Sequence, residues 1–160
     1  MKILVVSDTH SFNENLELVV QKIGTPDCLL HMGDAECSEE ELQQITNCPV
    51  HVVSGNCDFF CGHPRMKIVE LEGHKIMLTH GHYYYVTAGI RDLAAAAKEN
   101  GCDIALFGHT HKPFEDQSDP TLTVLNPGSL SQPRQADHRP SYILMELEAG
   151  QRPVYEICYL

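Results

Sequence analysis

Residues 2 to 10, Lys-Ile-Leu-Val-Val-Ser-Asp-Thr-His, set a pattern that the chain repeats four more times: an aliphatic run that halts at side chains able to bind metal. Ile3 to Val6 is unbroken and carries β-branched members, as a strand covered on both faces does. In open α/β sheets the functional crevice lies beyond the carboxyl ends of the strands, which puts Asp8 and His10 where chemistry is placed. A single Asp or His after a strand is more often a turn former or a helix cap. Recurrence changes that. Cys28 to Met32 halts at Gly33-Asp34, Val50 to Val53 at Ser54-Gly55-Asn56-Cys57-Asp58, Lys75 to Thr79 at His80-Gly81-His82, and Asp103 to Phe107 at Gly108-His109-Thr110-His111.

Between these runs the pattern switches to helical spacing. Asn13 caps a predicted helix to Lys22 that lines up Leu16, Val19, Val20 and Ile23, with Gly24 and Pro26 ending it. Ser38-Glu39-Glu40-Glu41 is a capping box opening a second helix to about Ile45. Thr87 to Asn100 reads as an Ala-rich third helix with Ile90, Leu93, Ala94 and Ala97 inward and Gly101 at its end. Met66 to Leu71 and Lys75 to Thr79 read as a hairpin about Glu72-Gly73-His74. Beyond Phe107, strands at 121–125, 141–147 and 154–159 follow without helices. The expected fold class is α/β (α+β): two packed β-sheets flanked by helices, in a single domain over residues 1–160.

Composition narrows the partners. A formal charge of −11 disfavours duplex nucleic acid, whose affinity comes from Lys and Arg neutralising phosphates. No stretch approaches the ~20 apolar residues of a membrane span, and the first apolar run stops too soon for a secretory leader, so a cytoplasmic protein is expected. Seven cysteines, an odd set without a Cys-x-x-Cys pair, argue against a disulfide framework and a structural zinc site.

The strand ends together offer Asp8, His10, Asp34, Asn56, His80, His109 and His111, which is two carboxylates, one amide and four imidazoles. That suffices for two divalent transition-metal ions. Oxygen and nitrogen donors without thiolate suit manganese, iron or zinc and disfavour calcium and magnesium; manganese is the expected ion, with iron, zinc, nickel and cobalt as alternatives. Asp34, alone at its strand end, is the expected bridge.

The ordered series Asp8-x-His10, Gly33-Asp34, Gly55-Asn56-Cys57-Asp58, His80-Gly81-His82 and Gly108-His109-Thr110-His111 resembles the calcineurin-like metallophosphoesterases. The short chain looks like their small bacterial and archaeal phosphodiesterase branch, and Asn126-Pro127-Gly128-Ser129 with Pro133-Arg134 extends the likeness. This resemblance implies a β-sandwich flanked by helices, with one metal on Asp8, His10, Asp34 and His111 and a second on Asp34, Asn56, His80 and His109. It also implies in-line attack on phosphorus by a hydroxide bridging the ions. Asn56, Cys57 and Asp58 are the expected catalytic set, with Asp58 holding a neighbouring polar group by a hydrogen bond. His82, outside the ligand pattern, and Arg134 are candidates for contact with substrate. Tyr83-Tyr84-Tyr85 reads either as a stacking surface or as part core and part lid.

Many members of the family carry His where this chain has Cys57, and there it protonates the departing oxygen. A thiol with an ordinary pKa of ~8.5 is a poor substitute, which points to phosphodiesters with good leaving groups. The expected partner is thus a small phosphodiester, with neither duplex nucleic acid nor membrane, and with a homo-oligomer permitted. Two other functions compete: a phosphomonoesterase or nucleotide phosphatase, and a non-catalytic scaffold, since a retromer subunit resembles this fold after losing much of its metal site.

Overall fold

The computed structural model describes residues 1–160. In chain order it contains β1 (Lys2–Val6), α1 (Glu14–Ile23), β2 (Cys28–His31), α2 (Glu39–Thr46), β3 (Val50–Val52), β4 (Met66–Leu71) and β5 (His74–Thr79). These are followed by a 3₁₀ turn (His82–Tyr84), α3 (Arg91–Glu99), β6 (Ile104–Leu106), β7 (Pro113–Asp116), β8 (Thr123–Pro127), β9 (Ser141–Glu146) and β10 (Val154–Tyr159). The strands form two mixed sheets, ordered β10-β9-β1-β2-β3 and β4-β5-β6-β8-β7. Within each sheet three neighbours run parallel: β1, β2 and β3 in one, β5, β6 and β8 in the other.

Strand periodicity explains the layering. Ile3 and Val5 join Leu30, Ile76, Leu78, Ile104, Leu106 and Leu125 in the core between the sheets. Leu4 and Val6, pointing the other way, pack with Leu16, Val19 and Leu42 under α1 and α2. On the second sheet Met77, Ala105 and Val124 pack against Leu93 and Ala97 of α3. Both faces of the parallel strands are therefore buried, as their unbroken aliphatic runs predict. No helix is long and apolar enough to cross a membrane.

The hairpin turn falls at Glu72 and Gly73, with φ of 50° and 80°, the left-handed pair of a two-residue turn that matches strand twist. Ser38 caps α2 by accepting the Glu41 N–H at 3.1 Å. Asn13 stands at the N-cap of α1 but makes no capping bond, its amide lying 3.9 Å from Cys37 Sγ instead. Three expectations need correction. The third helix begins at Arg91 and not Thr87, because Tyr85 (φ 51°) and Gly89 (φ 144°) take the backbone out of helical space. The strand expected at 121–125 is shifted to Thr123–Pro127, since the Thr121 N–H and hydroxyl both bond Asp119 Oδ1 in a turn. β7 was not expected; it is a polar edge strand paired only with β8 and carries no apolar alternation.

Candidate metal centre

The parallel strands of both sheets present their carboxyl ends on one crest, and the seven expected ligands converge there. Five of them, Asp8, His10, Asp34, His109 and His111, have φ between 48° and 67°. Left-handed backbone is uncommon for residues with a Cβ and is held only where surrounding contacts over-determine it, a feature of functional sites. Glycine makes room beside them. A Cβ on Gly55 would overlap Asp34 Oδ1, and one on Gly108 would overlap Ser7 Oγ and crowd Asp8 Oδ2.

Each carboxylate has one oxygen tied to the protein and one turned to the centre. Asp8 Oδ2 accepts from Ser7 Oγ at 2.5 Å and from the His109 N–H at 3.2 Å. Asp34 Oδ1 accepts the Cys57 N–H at 2.7 Å. The other oxygens face imidazoles: Asp8 Oδ1 lies 3.1 Å from His111 Nε2 and 3.9 Å from His80 Nε2, and Asp34 Oδ2 lies 3.4 Å from His80 Nε2 and 4.0 Å from His10 Nε2. Asn56 Oδ1 completes the set, 3.1 Å from His80 Nε2 and 2.9 Å from His109 Nδ1.

The imidazoles are oriented from behind. His10 Nδ1 meets Glu36 Oε1 at 2.7 Å, His80 Nδ1 meets the Met32 carbonyl at 2.7 Å, and His111 Nδ1 meets the Gln132 carbonyl at 2.7 Å. An acceptor at Nδ1 puts the proton there and leaves the Nε2 lone pair facing inward, the arrangement of metal-ligating histidines. Asp8 Oδ1 and His10 Nε2 are buried yet have no hydrogen-bond partner. Such atoms cost free energy unless something satisfies them, and a bound cation would do so here. Asp8, His10 and His111 bring ligand atoms within 4.8 Å of one another, as do Asp8, Asp34 and His80. The donor set and the two orphaned atoms fit divalent metal.

Charge supports the same reading. Burial, the largest influence on Asp8 and on Asp34, opposes ionisation, yet both carboxyls sit below their ordinary range. For Asp8 this is through His111, His80 and Ser7, and for Asp34 through His80 and Cys57. Burial likewise disfavours a proton on His80, but Asp34 and Asp8 raise it, so in the metal-free protein these carboxylates favour a proton that a bound ion would displace. His109 and His82 are pushed down, first by burial and then by neighbouring His80, and so keep free lone pairs.

Asp58 is buried and acts on backbone: Oδ2 accepts the Asp34 N–H and the Gly55 N–H, each at 2.8 Å, and Oδ1 accepts the Glu36 N–H at 2.6 Å. Burial, and then the Asp34, Glu36 and Asp58 carboxylates, push the Cys57 thiol up to about 11 in the metal-free protein. His82 stands beside the ligands, its ring 5.3 Å from His80 and 6.0 Å from His109. Arg134 is tied in by its backbone, whose N–H bonds the His111 carbonyl at 2.9 Å, while its exposed side chain makes no hydrogen bond or ion pair with the expected ligands. Of the tyrosines, Tyr84 packs on the α3 core whereas Tyr83 and Tyr85 are exposed.

Sequence reasoning does not single out Glu36, the partner of His10, and reads Asn126 to Ser129 only as an extension of the family likeness, without the bracing role that Asn126, Ser129 and Ser131 fill. Ser129 and Ser131 hydroxyls donate to the Asp8 carbonyl at 2.8 and 2.9 Å, and Asn126 Nδ2 donates to the Gly108 carbonyl at 2.8 Å. The Asn126-Pro127-Gly128-Ser129 run was itself the signal.

Comparison with known proteins decides the family. The calcineurin-like phosphoesterase superfamily domain matches residues 1–150. The chain belongs to that family. It is 32% identical over 149 residues to a probable metallophosphoesterase, YsnB, of Bacillus subtilis, covering 92% of this chain and 85% of that one. Two solved structures below a quarter identity share the fold. One, a novel archaeal phosphodiesterase, superimposes with a TM-score of 0.78 at 21% identity, covering 100% of both chains. The other, wild-type Vps29 of Entamoeba histolytica complexed with zinc, gives 0.76 at 24%, covering 99% of each.

Proposed function

We propose that this calcineurin-like phosphoesterase is a cytoplasmic phosphodiesterase acting on small diesters. Two divalent transition-metal ions, manganese first, would be held by Asp8, His10, Asp34 and His111 and by Asp34, Asn56, His80 and His109. The observation that carries the reading is the pair of buried, unpartnered atoms, Asp8 Oδ1 and His10 Nε2, within a convergent set of seven donors. Ions bound there supply Lewis acidity and make a nucleophile of water near neutral pH. The chain's own residues do the rest. His10, His80 and His111 are locked in ligating orientation by Glu36, Met32 and Gln132, and Asp58 fixes the Gly33-Asp34 and Gly55-Asn56 turns against each other.

The proton inventory favours esters with good leaving groups, activated diesters among them. A departing alkoxide needs a proton, and the thiol of Cys57, at about 11, yields one reluctantly. Esters whose leaving group is a stable anion need none. The likeness to an archaeal phosphodiesterase accords with this. A scaffold role, suggested by the likeness to Vps29, gives the orphaned Asp8 and His10 atoms no purpose.

The test is a panel of aryl and alkyl monoesters and diesters assayed with manganese, iron, zinc, nickel and cobalt, alongside elemental analysis of loaded protein. Two ions per chain and fastest turnover of aryl diesters are expected. Fewer than one ion, unchanged by Asp34→Ala, removes the dinuclear centre, and faster turnover of alkyl monoesters removes the diesterase assignment.

A further inference from the structure

Arg65 stands at the edge of the centre with its charge unspent. Met66 pairs with Thr79 across the β4–β5 ladder, so Arg65 comes level with His80, and Thr79 Oγ1 donates to the Arg65 carbonyl at 3.3 Å. Its guanidinium lies over the Tyr83 ring, 4.7 Å from the centroid. The Tyr83 ring lies 4.1 Å from that of His82 at a tilt of 42°, and His82 stands 5.3 Å from His80 and 6.0 Å from His109. A run of rings thus leads from two expected ligands to one cation. Tyr83 is engaged by both Arg65 and His82, so it holds the guanidinium and is not a free platform for a base.

Acidic residues outnumber Lys and Arg 22 to 11 in this chain, yet no carboxylate lies within ion-pair distance of Arg65. The exposed guanidinium therefore keeps its fork of donors for something outside the fold. Planar bidentate recognition is what suits arginine to phosphate.

We infer that Arg65, held by Tyr83, is a specificity-determining anion anchor that binds a second phosphate on the far arm of the diester. This rests on the phosphodiesterase reading and extends it: the preferred substrates carry two phosphates, one at the metal ligands and one on the Asn56, His80 and His109 flank.

The experiment pairs a nucleoside nitrophenyl phosphodiester that bears a second phosphate on its sugar with the same compound lacking it. Wild-type enzyme favours the doubly charged compound in kcat/KM. Arg65→Gln and Tyr83→Leu each lower that ratio roughly tenfold through KM, about what one charge-assisted bond accounts for, whereas Tyr83→Phe retains it. Arg152→Gln removes the same charge from the cleft formed with Met1, Lys2 and Glu72 at the other end of the sheets, and keeps the ratio. Calorimetry with a nucleoside monophosphate and the corresponding bisphosphate reads the anchor without turnover. An unchanged ratio in Arg65→Gln overturns the inference while leaving the phosphodiesterase reading intact. A protein inactive on every ester that still prefers bisphosphate through Arg65 overturns the phosphodiesterase reading and leaves the anchor.

Discussion

The Asp58 carboxylate accepts the Asp34 backbone N–H at 2.8 Å, so a residue beyond β3 fixes an expected metal ligand beyond β2. Asp58 also holds the Gly55 and Glu36 amides. Asp58→Ala would orphan three N–H groups at once, each costing about 1 kcal/mol or more when left unpaired in a partly buried place. The expected outcome is a loss of roughly 3 kcal/mol in metal-free unfolding free energy, with weakened metal binding. Asn keeps the size and one acceptor, and Asp58→Asn should recover part of both. Wild-type stability in Asp58→Ala would contradict this bracing role.

His10, which meets Glu36 Oε1 at 2.7 Å, carries a second prediction. Partners behind metal-ligating histidines typically contribute 10- to 100-fold in metal affinity. Glu36→Ala should weaken manganese binding by about that factor in calorimetry while metal-free thermal stability changes little, because the Glu36 side chain is partly open to solvent. Equal affinity in variant and wild type would mean that His10 needs no such support.

Much of this centre is legible in the sequence because the fold places it at strand ends. Asp8, Asp34, Asn56, His80 and His109 each follow an aliphatic run, and in parallel sheets the functional crevice lies beyond the carboxyl ends of the strands. What is not legible depends on contacts distant in the chain. Glu36 reaches His10 across 26 residues, and Ser129 reaches the Asp8 carbonyl across 121. β7 escaped because Glu115 and Asp116 are charged and its edge position needs no apolar face. The start of α3 escaped because the Ala-rich pattern is continuous with Thr87, whereas the backbone at Gly89 is not helical.

His31 gives a pH dependence with a definite sign. It is buried in β2, with Nδ1 accepting the Gly33 N–H at 3.2 Å and Nε2 facing Thr9 Oγ1 at 3.1 Å. The imidazole is therefore neutral, protonated on Nε2. Burial, offset in part by Asp58 and Asp8, pushes it down to about 4. The unfolded chain takes up this proton near pH 6.5 and the native chain only near 4. Stability is thus fully present above the first value and is lost as pH falls through the window, by up to about 3 kcal/mol. Urea unfolding in chelator at several pH values should show wild type losing stability more steeply than His31→Gln between those limits. Parallel slopes would refute the assignment.

Cys57 carries the last prediction. Its N–H holds Asp34 at 2.7 Å, so its backbone matters whatever side chain it carries. The thiol, at about 11, sits among Asp34, Glu36 and Asp58 and parts with its proton reluctantly. An imidazole there, with an ordinary pKa of ~6.5, would be a donor matched to neutral pH, and general acid catalysis is typically worth ~10² to 10⁴ in rate. An alkyl monoester gains from that proton and a nitrophenyl diester does not. Cys57→His should therefore raise kcat/KM for alkyl monoesters relative to aryl diesters by tenfold or more. Metal content must be matched between the two proteins, because Cys57 lies with His10 and Glu36 in a cluster whose ligand atoms are within 4.8 Å of one another, and a new imidazole there can capture an ion. Should the ratio stay fixed at equal metal content, the residue at 57 does not choose between monoester and diester, and leaving-group chemistry at this centre is controlled elsewhere.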